Sequence, residues 1–154
     1  MLILAPLVFA AHADPAGGIS ATASPSSTAI PDADLLQPEE LARALRASSA
    51  VKPLILQVGS RILFAEAHIP GAEYVGAGGQ EAGLQALATR VKDLKPDQPL
   101  VIYCGCCPWS KCPNIRPAYE QLRKLGFTKF KVLYLADNFG TNWVDKGYPI
   151  AKGN

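Results

Sequence analysis

The chain has 154 residues, 49% of them hydrophobic and 18% charged, and a formal net charge of +2 at pH 7. That length suits one ordinary domain with its own apolar core and is short for two. The charges nearly balance and neither sign forms a long block, so no nucleic-acid partner and no acidic membrane surface is expected.

Residues 1–11, MLILAPLVFAA, form an apolar run. It falls short of the about 18 consecutive apolar residues that cross a bilayer, so no transmembrane span is expected. Ala11-His12-Ala13 follows the small-x-small pattern that signal peptidase accepts. The reading is a secretory signal peptide over residues 1–13 and a periplasmic or secreted protein. Residues 14–34 are mostly Ala, Ser, Pro, Gly and Thr. Segments with so few large side chains cannot offset the entropy of ordering, which predicts a flexible linker. The folded domain is expected over residues 35–154.

Within the domain, Pro38-Glu39-Glu40 opens a helix over residues 38–45, with proline in the first turn and acids at its positive end. Residues 54–58 (LILQV) are an apolar run closed by Gly59, which suits a strand buried on both faces. His68-Ile69-Pro70-Gly71-Ala72 is a turn into a short strand at residues 73–75. Leu84, Leu87, Val91 and Leu94 recur every three or four positions and predict an amphipathic helix over residues 80–94. After the turn cluster at residues 95–99, residues 100–103 form a strand and residues 113–125 a helix. Gly126 caps that helix. A strand over residues 131–135 and a short helical turn in residues 142–149 complete the domain. Alternating strands and helices imply a mostly parallel α/β sheet covered on both faces, with ligands at the carboxyl ends of the strands.

One such end holds all four cysteines. Cys104, Cys106, Cys107 and Cys112 fall within nine consecutive residues on a strand-to-helix loop. Unpaired amides and the positive end of the helix dipole favour a thiolate there, so thiol chemistry is expected in preference to core packing.

Four elements carry a family resemblance: residues 54–58, the turn HIPGA at 68–72, Val101-Ile102-Tyr103-Cys104 before a helix, and W-x-x-x-G-x-P from Trp143 to Pro149. Ala118-x-x-x-Leu122-x-x-x-Gly126-Phe127 adds to them. Together they resemble the rhodanese-like domain over residues 38–149. The resemblance implies a single domain with a central, mostly parallel five-stranded sheet and helices on both faces. It also implies a sulfurtransferase in which Cys104 takes a sulfane sulfur from thiosulfate or a persulfide donor and passes it to a thiol or cyanide. The partners implied are a small sulfur-containing anion, a thiol acceptor and a redox protein. Amides from Gly105 onward would cradle the anion, with Cys106, Cys107, Trp109, Ser110, Lys111 and Arg116 around it. No cofactor and no metal is required. The chain departs from the family at Gln57 and Gly59, where an Asp and an Arg are usual, and at Ala67 before HIPGA. Asn114 stands where the arginine ending the active loop would be, and the loop is longer.

The extra thiols leave three alternatives. Cys107 and Cys112 can close a structural disulfide, as oxidising compartments favour. Cys106 or Cys107 can act as a resolving or relay thiol for Cys104. The spacing C-x-C-C-x4-C can also hold a soft metal, Cu(I) or zinc. The corresponding alternative functions are a non-catalytic module that binds a metal or partner, and a thiol–disulfide carrier. His68 reads as a turn-fixing residue and Trp143 as packing. Trp109 reads as either a pocket wall or a core cap. Lys111 reads as either a charge for an anionic donor or a solvated lysine.

Overall fold

The computed structural model describes residues 29–48 and 51–153. The expected signal peptide and most of the expected linker lie outside them. The elements are β1 (Leu35–Leu36), α1 (Pro38–Arg46), β2 (Leu54–Gln57), α2 (Arg61–Glu66), β3 (Ala72–Tyr74), α3 (Glu81–Val91), β4 (Leu100–Tyr103), α4 (Ile115–Lys124) and β5 (Phe130–Leu133), with single 3-10 turns at Asp32–Asp34 and Trp109–Lys111. A five-residue π-helical turn, Gly140–Val144, follows β5. The strands form one sheet in the order β1-β5-β4-β2-β3, every pair parallel. The expected α/β architecture is therefore present, and β4 with its cysteine loop lies at the centre.

The strands read as continuous apolar runs because both sheet faces are covered. Side chains alternate across a strand. Leu56, Leu100, Ile102 and Val132 face a layer built by Leu87 and Val91 of α3 and Ile115, Ala118 and Leu122 of α4. Ile55, Val101, Tyr103 and Leu133 face the opposite layer, with Leu41 and Ala42 of α1, Ile69, Phe139 and Trp143. All four residues of β4 are buried. That burial makes the strand end beyond Tyr103 a fixed point for the loop.

The closing W-x-x-x-G-x-P motif has a direct explanation. Trp143 is fully buried and its indole N–H donates to the Pro149 carbonyl at 2.8 Å, with Gly147 turning the chain between them at φ 69°. His68 fixes its turn as expected. Its Nδ1 lies 2.8 Å from the Phe64 carbonyl, its ring stacks on Phe64, and its backbone pairs with Ala151.

Two elements differ from expectation. The helix α2 is absent from the sequence reading because it is one and a half turns long and leaves Ile62 and Leu63 exposed, so it shows no apolar periodicity. Ser60 starts it, its hydroxyl accepting from Leu63 N–H. The fifth strand is β1, two residues at the sheet edge beside β5. The last residues assigned to the linker are also tied to the domain: Asp34 accepts from the Tyr119 hydroxyl at 2.7 Å, and Lys131 Nζ donates to the Ala33 carbonyl.

Candidate active site

The site is built where β4 ends. Cys104 follows Tyr103 directly and is 5% exposed. Gly105 then turns the chain at φ 76°, a left-handed conformation that glycine adopts without steric penalty. A Cβ there would sit 2.7 Å from Phe139 Cβ, so the position has no room for a side chain. Opposite Cys104 lies the loop after β2. A Cβ on Gly59 would fall 2.9 Å from both the Cys104 carbonyl oxygen and its Sγ. The position where the family usually has arginine is thus occupied by the cysteine itself. Gln57 is buried beneath: its amide donates to the Cys104 carbonyl at 3.2 Å and its Oε1 accepts from Gly59 N–H. The amide also donates to the Ser60 carbonyl, so it serves two backbone carbonyls that an aspartate, with no donor, would leave unmet.

Three thiols converge. The Sγ atoms of Cys104, Cys106 and Cys112 all lie within 4.8 Å of one another. Cys104 to Cys106 is 3.1 Å, and Cys106 to Cys107 is 3.0 Å. These separations are well beyond the disulfide bond length of about 2.05 Å, and all four thiols are free. The Cys107–Cys112 pair, one of the three alternatives, is present as two free thiols in hydrogen-bond contact. Cys107 Sγ also points to the Lys111 carbonyl at 3.9 Å, and Cys112 joins Cys104 and Cys106.

Asn114 organises this group. Its Oδ1 accepts from Gly79 N–H at 2.9 Å, which fixes the amide so that Nδ2 faces Cys104 Sγ at 3.3 Å and Cys106 Sγ at 3.6 Å. It is itself buried. Where the family resemblance would place an arginine, this chain presents a neutral donor with one face already used.

The helix-start effect expected for Cys104 falls on Cys112. A hydrogen bond from the Cys104 thiol, reinforced by the amides of Asn114 and Ile115 at the start of α4, outweighs burial and brings Cys112 down to about 5. Cys104 is pushed up, first by donating its proton to Cys112 and then by burial. Burial, with the neighbouring Cys106 thiol, pushes Cys107 up to about 12. Within the cluster the Cys104 thiol donates a hydrogen bond to Cys112, the member favoured as the anion.

The expected amide cradle is only partly present. Amides that would line it are consumed by carbonyls: Trp109 N–H by Ala136, Lys111 by Pro108 and Cys112 by Trp109. The expected substrate-binding residues divide between two grooves. Gly105, Cys106 and Cys107 line one of about 400 Å³ with Leu63, Ala67 and Phe139. Trp109, Ser110 and Arg116 line another of about 670 Å³ with Cys112 and Tyr134. Arg116 pairs with Glu120 there, and Trp109 packs edge-on against Tyr134. Lys111 lines neither groove and contributes its carbonyl to Cys107. Sequence reasoning missed Asn114 as a thiol partner, because only the fold brings Gly79 to the start of α4. It also missed Gly59, whose one signal is a glycine where a large residue is usual.

The sequence matches the family model described as Rhodanese-like domain over residues 37–139. Among curated proteins none matches the chain. The fold is similar to the BH2092 protein from Bacillus halodurans, with 18% identity, coverage of 76% of this chain and 75% of that one, and a TM-score of 0.57. It is equally similar to the Alr3790 protein from Anabaena sp., with 21% identity, coverage of 77% and 92%, and a TM-score of 0.57. A rhodanese-like domain protein from Staphylococcus aureus is 16% identical over 77% of this chain and 99% of its own, with a TM-score of 0.50.

Proposed function

The chain belongs to the rhodanese-like domain family, and from that premise we propose that it is a sulfurtransferase that takes up a sulfane sulfur as a persulfide on Cys104. The observation that carries this reading is the position of the Cys104 thiol. It sits at the carboxyl end of the central strand, and two further thiols lie within reach of its sulfur.

With thiosulfate as donor, Cys104 Sγ forms a bond to the outer sulfur as the bond from that sulfur to the sulfonate sulfur breaks. Sulfite leaves with the bonding electron pair. As that bond forms the Cys104 sulfur becomes acidic, and its proton passes along the existing hydrogen bond to Cys112 Sγ, which the Asn114 and Ile115 amides face. A thiol acceptor then takes the outer sulfur as its own persulfide and Cys104 regains a thiol. Attack by a sulfur nucleophile on a sulfur electrophile is the ordinary course of such exchange, here with the proton removed as the bond forms.

Cys104 is almost enclosed, whereas Cys106 is half-buried and lines the groove of about 400 Å³. The donor therefore approaches along that groove, with Cys106, 3.1 Å from Cys104, as the relay thiol. Leu63, Ala67 and Phe139 give the groove apolar walls suited to a larger organic thiol or persulfide. Export belongs to the same proposal, supported by the apolar run at residues 1–11 and the Ala11-His12-Ala13 site. Among the described residues no helix is long and apolar enough to cross a membrane.

Reduced protein incubated with thiosulfate is expected to gain one sulfur atom by intact mass, and to lose it on adding a thiol. Cys104→Ser is expected to gain none. A wild-type protein that takes up no sulfur from thiosulfate or from an organic persulfide contradicts the reading.

A further inference from the structure

The thiol cluster has a second capacity that sulfur transfer does not use. Three sulfurs within 4.8 Å of one another, on one loop, are disposed as a chelate. A metal–sulfur bond of about 2.3 Å puts the sulfurs of a trigonal site about 4.0 Å apart. The cluster spans that spacing, and Cys104 and Cys106 need to part by only about 0.9 Å from their 3.1 Å separation. Cys106 is half-buried and follows a glycine, so it can make that movement.

We propose that Cys104, Cys106 and Cys112 bind one Cu(I) ion in a three-sulfur site, and that copper occupancy shuts off sulfur uptake at Cys104.

The donor set selects the ion. No imidazole or carboxylate belongs to the cluster. Thiolates alone favour soft ions, of which Cu(I) accepts three ligands, whereas zinc takes four in a closed tetrahedral site. A fourth ligand is missing on two counts. The oxygen of Asn114 is held by Gly79 N–H, leaving the cluster facing an NH2 group that has no lone pair to give. Cys107 Sγ lies 3.0 Å from Cys106 Sγ but does not belong to the set of three sulfurs that are all within 4.8 Å of one another, and it donates to the Lys111 carbonyl.

The surroundings suit the anionic complex that forms. Asn114 Nδ2 faces two of the sulfurs, and the amides of Asn114 and Ile115 face the third. Donors around coordinating sulfurs orient the ligands and stabilise their charge. On binding, the ion displaces to solvent the protons those thiols carry, and copper stays Cu(I) throughout. With one electron pair of the buried Cys104 Sγ given to copper and its charge drawn toward the ion, the sulfur is a far weaker nucleophile toward a sulfane donor.

The test is an anaerobic titration of the reduced full-length chain with the Cu(I)–bicinchoninate complex. It contains no sulfur donor, so its outcome is independent of the sulfurtransferase reading. Wild type is expected to withdraw one equivalent of Cu(I), with a new near-ultraviolet thiolate-to-copper band. Cys106→Ser and Cys112→Ser are expected to weaken binding at least tenfold, while Cys107→Ser matches wild type. These variants all keep three thiols, so the contrast reports geometry and not thiol number, and circular dichroism checks that each is folded. The copper-loaded protein is expected to take up no sulfur from thiosulfate until copper is removed by a chelator. Failure of wild type to withdraw Cu(I), or equal binding by all three serine variants, overturns the proposal. Retention of Zn(II) that depends on Cys107 as strongly as on Cys112 also overturns it, in favour of a four-sulfur zinc site. Undiminished sulfur uptake by copper-loaded protein overturns the regulatory half.

Discussion

Asn114→Ala is expected to slow sulfur loading about 10- to 100-fold, the penalty that a displacement of about 1 Å at a reacting group carries. The side chain ties the loop before α3, which already packs closely on the start of α4, to the thiol cluster. Its oxygen takes Gly79 N–H from the loop before α3, and its nitrogen faces Cys104 and Cys106. Truncation removes the hydrogen bond to Gly79 N–H, worth about 0.5–1.5 kcal/mol, and frees Cys106 to turn away. Asn114→Asp separates the two roles. The carboxylate keeps an acceptor for Gly79 but presents a negative charge to the thiols in place of a donor. Stability is expected to fall less than in the alanine variant, and sulfur loading to fall more. Stopped-flow loading with thiosulfate and urea unfolding measure the two quantities. Equal loading rates in wild type and both variants would show that Asn114 does not position the thiols.

Trp143→Ala is expected to destabilise the domain by about 3–5 kcal/mol, the range for truncating a fully buried large aromatic. The indole stacks on Phe139 and meets Tyr148 edge-on, and its N–H holds the Pro149 carbonyl. Phe139 in turn packs against the Gly105 turn and lines the groove beside Cys106. Loss of the indole therefore loosens the wall of the active loop as well as the core. Urea-induced unfolding should show a lower midpoint with little change in slope. A loss below about 1 kcal/mol would mean that the site collapses around the vacancy at little cost.

The parts of the fold that are legible in the sequence are those whose signal is periodic or continuous. The run at residues 100–103 is apolar because β4 is buried on both faces. Ile115, Tyr119, Leu122 and Leu125 carry the spacing that marks a core face on α4; Ile115 and Leu122 are buried, while Leu125, past the helix end, is exposed. The resemblance supplies the fifth strand but not its location. Leu35–Leu36 is too short to show any pattern, and only pairing with Val132 and Leu133 makes it a strand. The helix α2 is hidden because it packs through Phe64 alone.

In the site, Cys104 is legible from its place after an apolar strand. Its partners are not. Linear spacing leaves several groupings of the four thiols open, and only the 3-10 turn at Trp109–Lys111 shows that Cys112 returns to Cys104 and Cys106. The start of α4 favours the anion of the cysteine nearest its amides, which is Cys112 and not the one nearest the strand. Arg116 looks like a substitute for the missing loop arginine, yet α4 directs it to the other groove and to Glu120.

Those placements give each thiol a different part. Under the proposed function Cys104 is the sulfur acceptor, Cys112 takes its proton, Cys106 connects it to the groove, and Cys107 lies beside Cys106 without a part in the transfer. The most direct measurement of the central claim is peptide mapping of the added sulfur. Reduced protein is loaded with thiosulfate, its thiols and persulfides are trapped by alkylation, and the digest is sequenced by mass spectrometry. The account predicts the added sulfur on Cys104, in wild type and in Cys107→Ser alike. Sulfur retained on Cys106, Cys107 or Cys112 with Cys104 unmodified would contradict it.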